Sequence, residues 1–326
     1  MSPAMRTLVL TTRGIERVCA ELEQMPGITV VRRYELADAT SDDELVQGLD
    51  GAWATVAGSE RYTRGVLQAT PELKAIFRFG TGSDAIDIPA ATEAGVAVIT
   101  TPAVNAEAVA DMALALMLAS IRRLPALDDA VRSGRWRTGS ATRDLAGATV
   151  GVVGLGAVGR AVVRRLRGFG CRVLALELYP DEEFTARYEV ELTDLETMLP
   201  QLDALTLHAP LTDTTRGLIG ASQLAMLPRH AVVVNTARGE LIDQAALAAA
   251  LTEDRIAAAG LDVFEREPVP PGDPILAAPN VILSGHVSSS TEVGLNGMAG
   301  GVVANLREVL DGKLPASCLN PQAWNL

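Results

Sequence analysis

Three sets of residues in this chain have the types and spacing to do chemistry together. The first is a glycine-rich run, Gly154-Leu155-Gly156-Ala157-Val158-Gly159, with the apolar stretch Thr149–Val153 before it and the helical pattern Arg160–Leu166 after it. In such a strand–loop–helix unit Gly154 permits the tight turn, Gly156 lets the backbone approach a pyrophosphate, and Gly159 lets helix and strand pack closely. The helix start offers unpaired N–H groups and a partial positive charge to the phosphates. Glu177 closes the next strand pattern, about 20 residues on, where an acid hydrogen-bonds ribose hydroxyls. A carboxylate there repels a 2′-phosphate, and Leu178 and Tyr179 bring no compensating arginine, so the run predicts NAD rather than NADP.

An enzyme that exchanges a hydride between a nicotinamide and an alcohol also needs a base for the hydroxyl proton and a cation for the charge that develops on oxygen. The second set is therefore the three histidines. His208 and His286 each follow a strand pattern, Ala204–Leu207 and Val281–Leu283, and open parallel sheets bind ligands at the C-terminal ends of strands. His230 instead enters a strand, which leaves His286 and His208 as the better candidates. The third set falls at the same expected edge: Arg238 after Val232–Asn235, Asp262 within Ala258–Val263, and Glu267 on the loop beyond. A carboxylate near His286 would favour the imidazolium and fix the ring, and Arg238 offers a planar fork for a carboxylate.

These sets need a scaffold that delivers several strand ends to one edge. Short β-branched runs alternate with Ala/Leu-rich stretches, which predicts α/β structure with parallel sheets. Strands are expected at Thr7–Leu10, Gly27–Val31, Ala52–Val56, Ala75–Phe79 and Val96–Ile99, and helices at Ile15–Met25 and Asp42–Leu49. Thr101-Pro102 interrupts the series, and a long helix is expected from Asn105, as N-cap, to Arg123. Its middle, Met112–Leu118, is apolar on every face, which predicts burial all round, inside the fold or against a second subunit. A second series follows, with strands at Thr149–Val153, Arg172–Leu176, Ala204–Leu207, Ala231–Val234, Ala258–Val263 and Val281–Leu283. Helices are expected between them at Asp194–Leu199, Ala221–Leu227 and Gln244–Leu251, and a final helix at Thr291–Leu310.

Composition narrows the class. A chain of 326 residues exceeds one ordinary core, and 48% hydrophobic with 21% charged residues fits a soluble, globular protein of two domains. Aromatics are 4%, so the core must rest on Ala, Val, Leu and Ile. The net charge of -12, without a basic run, argues against nucleic acid as a partner. Cys19, Cys171 and Cys318 have neither zinc nor redox-motif spacing, so free thiols and no metal are expected. Residues 1–10 lack a secretory pattern and Ala108–Ile121 is too short to span a bilayer, so the expected location is the cytoplasm, with no membrane partner.

Longer strings carry a resemblance. Asn235–Asp243, Leu261–Pro268 and Ser284–Val287 resemble the three signatures of the D-isomer-specific 2-hydroxyacid dehydrogenase family, within it the phosphoglycerate dehydrogenase-like group. His208–Thr212, Asp213–Ile219, Gly80–Asp87 and Asn105–Asp111 match further family stretches, so the likeness covers nearly the whole chain. The resemblance implies two Rossmann-like domains: a doubly wound NAD domain, 102–289, inserted into a smaller flavodoxin-like substrate domain, 1–101 plus 290–326. A cleft that closes by a hinge near Pro102 and Ser289 would exclude water. It implies that Arg238 holds the substrate carboxylate and C2 oxygen, that His286 is the acid–base, and that Glu267 pairs with His286. Ala157 and Val158 would cradle the pyrophosphate. Thr236, Ala237, Asp262, Ser288 and Ser289 would border the nicotinamide, with His208, Pro210 and Thr215 also at the cofactor. Thr81 and Gly82 would meet the carboxylate from the other domain. The helix after Asn105 resembles the family's dimer contact, so a homodimer is expected.

Two departures stand out. Gly285 precedes the histidine where the family commonly has Pro, and residue 177 is Glu where Asp is frequent. Glu267 argues against the formate dehydrogenase branch, which carries an amide there. Arg61 and Arg78 could bind a second anion, so the expected substrate is a small 2-hydroxy or 2-keto acid such as 3-phosphoglycerate. Glyoxylate or hydroxypyruvate reduction is an alternative. A different class, the NAD-sensing corepressors of the same fold, is disfavoured by the lack of a peptide-binding extension.

Overall fold

The computed structural model describes residues 5–39, 41–136 and 141–324; the outer domain limits expected at residues 1 and 326 lie outside the described residues. The chain folds as two compact units, Met1–Asn105 with Thr291–Leu326, and Ala106–Ser290. The first crossing follows Asn105 rather than Pro102. The reason is local: the Thr101 N–H donates to the Gly80 carbonyl at 3.0 Å, and Val104 lies against Gly297, both within the first unit.

In the first unit β1 (Arg6–Leu10), β2 (Ile28–Arg32), β3 (Ala54–Ala57), β4 (Ala75–Arg78) and β5 (Ala97–Ile99) form a parallel sheet in the order β2-β1-β3-β4-β5. That is the flavodoxin-like order. Alternation along a strand sends Leu8 and Leu10 to one core and Val9 to the other. Because both faces are covered, the strands read as continuous apolar runs. The helix Glu292–Leu310 returns to cover one face with Met298, Val302 and Leu306, and Thr291 caps it by accepting the Gly294 N–H at 3.0 Å. The expected helix Ile15–Met25 is instead a 3-10 turn, Arg13–Val18, and a short α-helix, Cys19–Glu23, because Val18 (φ -119, ψ 10) leaves helical geometry.

In the second unit β6 (Thr149–Val153), β7 (Arg172–Leu176), β8 (Val190–Leu192), β9 (Ala204–Leu207), β10 (Val232–Asn235), β11 (Ala258–Leu261) and β12 (Val281–Leu283) are parallel, in the order β12-β11-β10-β9-β6-β7-β8. The chain winds outward from β6 to β8 and then restarts beside β6 with β9. The switch point between β6 and β9 opens a crevice at their C-terminal ends, where such sheets bind ligands.

The long helix runs Ala106–Ile121 and within the single chain leaves one strip uncovered. Ala110, Ala113, Leu114 and Met117 pack into a core with Val150, Val152 and Val163, whereas Glu107, Asp111 and Ala115 form an exposed strip at four-residue spacing. Glu107 and Asp111 pair with Arg164 and Arg165 of the helix Ala157–Arg167. The helix stops before Arg123, which is left-handed (φ 50), and a further helix follows at Leu124–Arg132. Among the described residues no helix is long and apolar enough to cross a membrane, and no cluster of His, Cys, Asp and Glu could hold a metal ion.

Candidate active site

The nucleotide loop is built from steric necessity. Gly154 sits at φ +92, and a Cβ there would lie 2.8 Å from the backbone of His208 and Ala209. A Cβ on Gly159 would lie 1.9 Å from the Gly154 carbonyl oxygen, so helix and loop touch backbone to backbone. Gly156 differs: a Cβ there meets nothing within 4 Å, so the space before it is open. It precedes the helix Ala157–Arg167 with no side-chain cap, which leaves first-turn N–H groups without a capping oxygen. Glu177 accepts the Leu155 N–H at 2.6 Å and the Tyr179 N–H at 2.9 Å. Burial pushes its pKa up, but the N–H groups of Tyr179, Leu155 and Leu178 and the charge of Arg160 outweigh burial and hold it below the ordinary carboxylate range.

His208 does not serve as an acid–base. Its Nε2 lies 2.9 Å from Thr206 Oγ1, its Nδ1 is buried without a partner among the described residues, and burial pushes its pKa down to about 3. A ring that stays neutral can pack, accept one hydrogen bond and donate one. Thr236, 7% exposed at the end of β10, likewise has a buried hydroxyl without a partner among the described residues. Thr215 closes its own loop by donating to the Pro210 carbonyl at 2.7 Å. His230 belongs to the opposite edge of the sheet, 3.0 Å from Asp203. Open space before Gly156, an uncapped helix and two unsatisfied polar atoms at the C-terminal edge are what an extended dinucleotide would fill.

At the same edge His286 follows β12 in the left-handed region (φ 54), its N–H donating to the Asp262 carbonyl at 2.7 Å. Its Nδ1 lies 2.7 Å from Glu267 Oε2, while Glu267 Oε1 accepts the Phe264 N–H at 3.0 Å. Burial raises the pKa of Glu267, but the His286 ring, the Phe264 N–H and the charge of Arg238 together bring it below the ordinary value, so it is a carboxylate. With Nδ1 committed to that carboxylate, Nε2 is the ring atom left for a reacting group. Arg238 follows β10, its Nη1 donating to the Ala237 carbonyl at 2.6 Å. Gly239 explains how the two loops meet: a Cβ there would lie 1.8 Å from the Phe264 carbonyl carbon, so only glycine permits this approach.

Asp262 is tied into the turn after His286. It is fully buried, and its oxygens accept from Ser284 Oγ at 2.6 Å, the Val287 N–H at 3.0 Å, the Ser288 N–H at 2.9 Å and Ser288 Oγ. Those four donors engage both carboxylate oxygens, so Asp262 and the Ser288 hydroxyl fix the backbone that follows His286. Ser289 is half-buried beyond them. Residue-by-residue reading missed Asn235, which holds the Arg238 turn through the Ala237 N–H at 3.0 Å and the Arg238 carbonyl at 2.7 Å, and it missed Ser284 and Gly239. A buried amide at a strand end was the available signal for Asn235.

The first unit supplies the other candidates. Arg61 is exposed, and Arg78 is half-buried with Nη1 donating to the Phe79 carbonyl. Glu60, 3% exposed, accepts the Gly58 N–H at 3.0 Å, the Tyr62 hydroxyl at 2.9 Å and the Thr11 hydroxyl. Thr81 and Gly82 follow β4, where the Thr81 hydroxyl donates to the Thr101 carbonyl at 3.4 Å.

Comparisons with known proteins bear on the family and the fold. Residues 114–288 match the family described as D-isomer specific 2-hydroxyacid dehydrogenase, NAD binding domain. A glyoxylate reductase from Korarchaeum cryptofilum is 41% identical over 262 residues, 79% of each chain. A D-3-phosphoglycerate dehydrogenase from Methanocaldococcus jannaschii is 38% identical over 293 residues, 89% of this chain and 56% of that one. The D-lactate dehydrogenase of Aquifex aeolicus, solved with NAD and lactic acid, superposes with a TM-score of 0.86 over 97% of this chain and 99% of that one; at 23% identity it shows the shared fold.

Proposed function

The chain belongs to the D-isomer-specific 2-hydroxyacid dehydrogenase family, NAD-dependent oxidoreductases, and we propose that it reduces a short, unphosphorylated 2-keto acid such as glyoxylate or hydroxypyruvate to the D-hydroxy acid. The observation that carries the chemistry is the 2.7 Å contact between His286 Nδ1 and Glu267. It orients the ring and leaves Nε2 to deliver a proton to the C2 oxygen in reduction, or to remove it in oxidation. Arg238 binds the carboxylate and the C2 oxygen and stabilises negative charge developing there. NAD, when bound, would supply the hydride exchanged with C2. Ala157 and Val158 would hold its pyrophosphate and Glu177 its ribose hydroxyls, with His208, Pro210, Thr215, Thr236, Ala237 and Ser289 along its length.

The substrate choice rests on the first unit. Arg61 is exposed and one Nη of Arg78 is spent on the Phe79 carbonyl, so the pair offers a phosphate less than two open forks. Similarity to a glyoxylate reductase supports the same choice. 3-Phosphoglycerate is the second reading, favoured by the relative of that name, of which this chain spans 56%. A homodimer is part of the proposal: Leu124, Leu127, Val131 and Trp136 are exposed apolar side chains after the long helix.

The test is turnover. Purified protein with NADH is expected to reduce glyoxylate and hydroxypyruvate with kcat/KM at least tenfold above phosphohydroxypyruvate, and His286→Asn to abolish all three. Binding of NADH with no turnover on a broad 2-keto acid panel defeats the enzyme reading; a preference for the phosphorylated substrate defeats only the substrate assignment.

A further inference from the structure

The corner that holds Glu177 also holds a cation. Arg160, in the first turn of the helix Ala157–Arg167, donates Nε to the Leu155 carbonyl at 2.7 Å and Nη1 to Asp181 Oδ2 at 2.6 Å. Its guanidinium lies 5.2 Å from the centre of the Phe184 ring. Glu177 takes the N–H of the same Leu155 at 2.6 Å. One residue of the glycine loop is thus gripped from both sides, by an anion at its N–H and by a cation at its carbonyl. Asp181 has a second task, capping the helix Glu182–Arg187 by accepting the Phe184 N–H at 3.0 Å. Two carboxylates and one guanidinium therefore meet beyond the end of β7, the place where a dinucleotide site distinguishes a ribose 2′-hydroxyl from a 2′-phosphate. Arg160 and Asp181 are both half-buried, so their pairing is less screened than that of a fully solvated pair.

We propose that Asp181 is a second determinant of the choice between NAD and NADP, acting through Arg160. While Asp181 engages the guanidinium, its charge is neutralised locally and a 2′-phosphate meets the excess negative charge of Glu177. Once released, the guanidinium retains its Nε anchor on Leu155 and has both Nη groups for a phosphate, the geometry in which arginine binds it best. The acid at the strand end repels the phosphate; Asp181 withholds the cation that would offset the repulsion. This inference rests on the NAD site alone and is independent of which keto acid is reduced.

Dinucleotide affinity, read by NADH and NADPH fluorescence on purified protein without substrate, tests it. Asp181→Asn removes the charge and keeps a good helix cap, and a thermal melt checks that the fold is retained. The ratio Kd(NADPH)/Kd(NADH) is expected to fall about tenfold, the scale of one partly screened charge beside a phosphate. In the double variant Arg160→Ala/Asp181→Asn the ratio is expected to return to the wild-type value. A ratio that does not move in Asp181→Asn overturns the proposal. A fall that persists without Arg160 also overturns it, because Asp181 would then act by direct repulsion. A wild-type protein that binds neither nucleotide overturns it together with the NAD assignment.

Discussion

The C-terminal edges of the two sheets end in opposite ways. Both sheets are parallel and covered on both faces, and both deliver polar side chains just past their strands. At the edge of the seven-stranded sheet, reactive groups are braced from behind: Glu267 and Asp262 hold His286 by its ring and its backbone, and Asn235 holds the turn that carries Arg238. At the edge of the five-stranded sheet the polar groups close on one another. Glu60 gathers Gly58, Tyr62 and Thr11, Arg78 turns to the Phe79 carbonyl, and the Gly80 N–H donates to Thr101 Oγ1 at 3.0 Å. The same architecture therefore yields one edge where a carboxylate braces a histidine ring and another where Glu60 gathers local donors, a distinction of side chains rather than of fold.

The largest effect should come from the edge of the seven-stranded sheet. Arg238→Ala is expected to lower kcat/KM by about three powers of ten or more, because a charge-assisted contact to the reacting oxygen is lost. Arg61→Ala, measured in parallel, should cost less than about threefold on glyoxylate. Equal losses at the two positions would break the comparison. Glu267→Gln should be intermediate, about 10- to 100-fold in kcat/KM for reduction, because the ring loses the carboxylate that holds Nδ1. The depressed pKa of Glu267 also sets a stability window. Its folded-state value lies below the unfolded one, so its interactions stabilise the protein above the ordinary carboxylate range and that stability is lost as pH falls through the folded value. A kcat/KM unmoved by Glu267→Gln would reduce Glu267 to a packing role.

The smallest catalytic effect is expected from Glu60→Gln. An amide cannot accept from all the donors that converge on Glu60, so thermal or denaturant unfolding should report a loss of about 1–3 kcal/mol. Its kcat/KM on glyoxylate should stay within about threefold of wild type. A large catalytic loss with unchanged stability would show that Glu60 does more than gather local donors.

Much of this was legible in the sequence for a physical reason. Strands buried on both faces, such as Val232–Asn235 and Ala75–Arg78, read as apolar runs, and the nucleotide loop needs glycines at fixed spacing because Gly154 and Gly159 have no room for a Cβ. The strand Val190–Leu192 was not legible: it is a sheet edge, with Glu191 outside and paired with Arg172, so it carries no apolar period. The helix Leu124–Arg132 was hidden by its exposed apolar residues and by Pro125 in its first turn. At the site, the resemblance named Arg238, Glu267 and His286, and the local string made plausible their presence at one edge. The duty of Asp262 was out of reach, because a carboxylate turned toward the backbone of residues 287 and 288 looks, in one dimension, the same as one turned toward a ligand. Arg160 was missed likewise, since it joins the Glu177 corner from a helix and not from the strand that the motif follows.

The left-handed backbone of His286 has a consequence for anyone who wants an inert but intact protein. Any residue with a Cβ carries roughly 1–2 kcal/mol of backbone strain at φ 54, the native histidine included, and a β-branched replacement carries more. Asparagine tolerates that conformation and retains an amide N–H for Glu267, so His286→Asn silences the proton transfer while sparing the loop. It is accordingly the better trap for capturing cofactor and substrate together, and sequences that drift at this position without collapsing should pass through asparagine or glycine first.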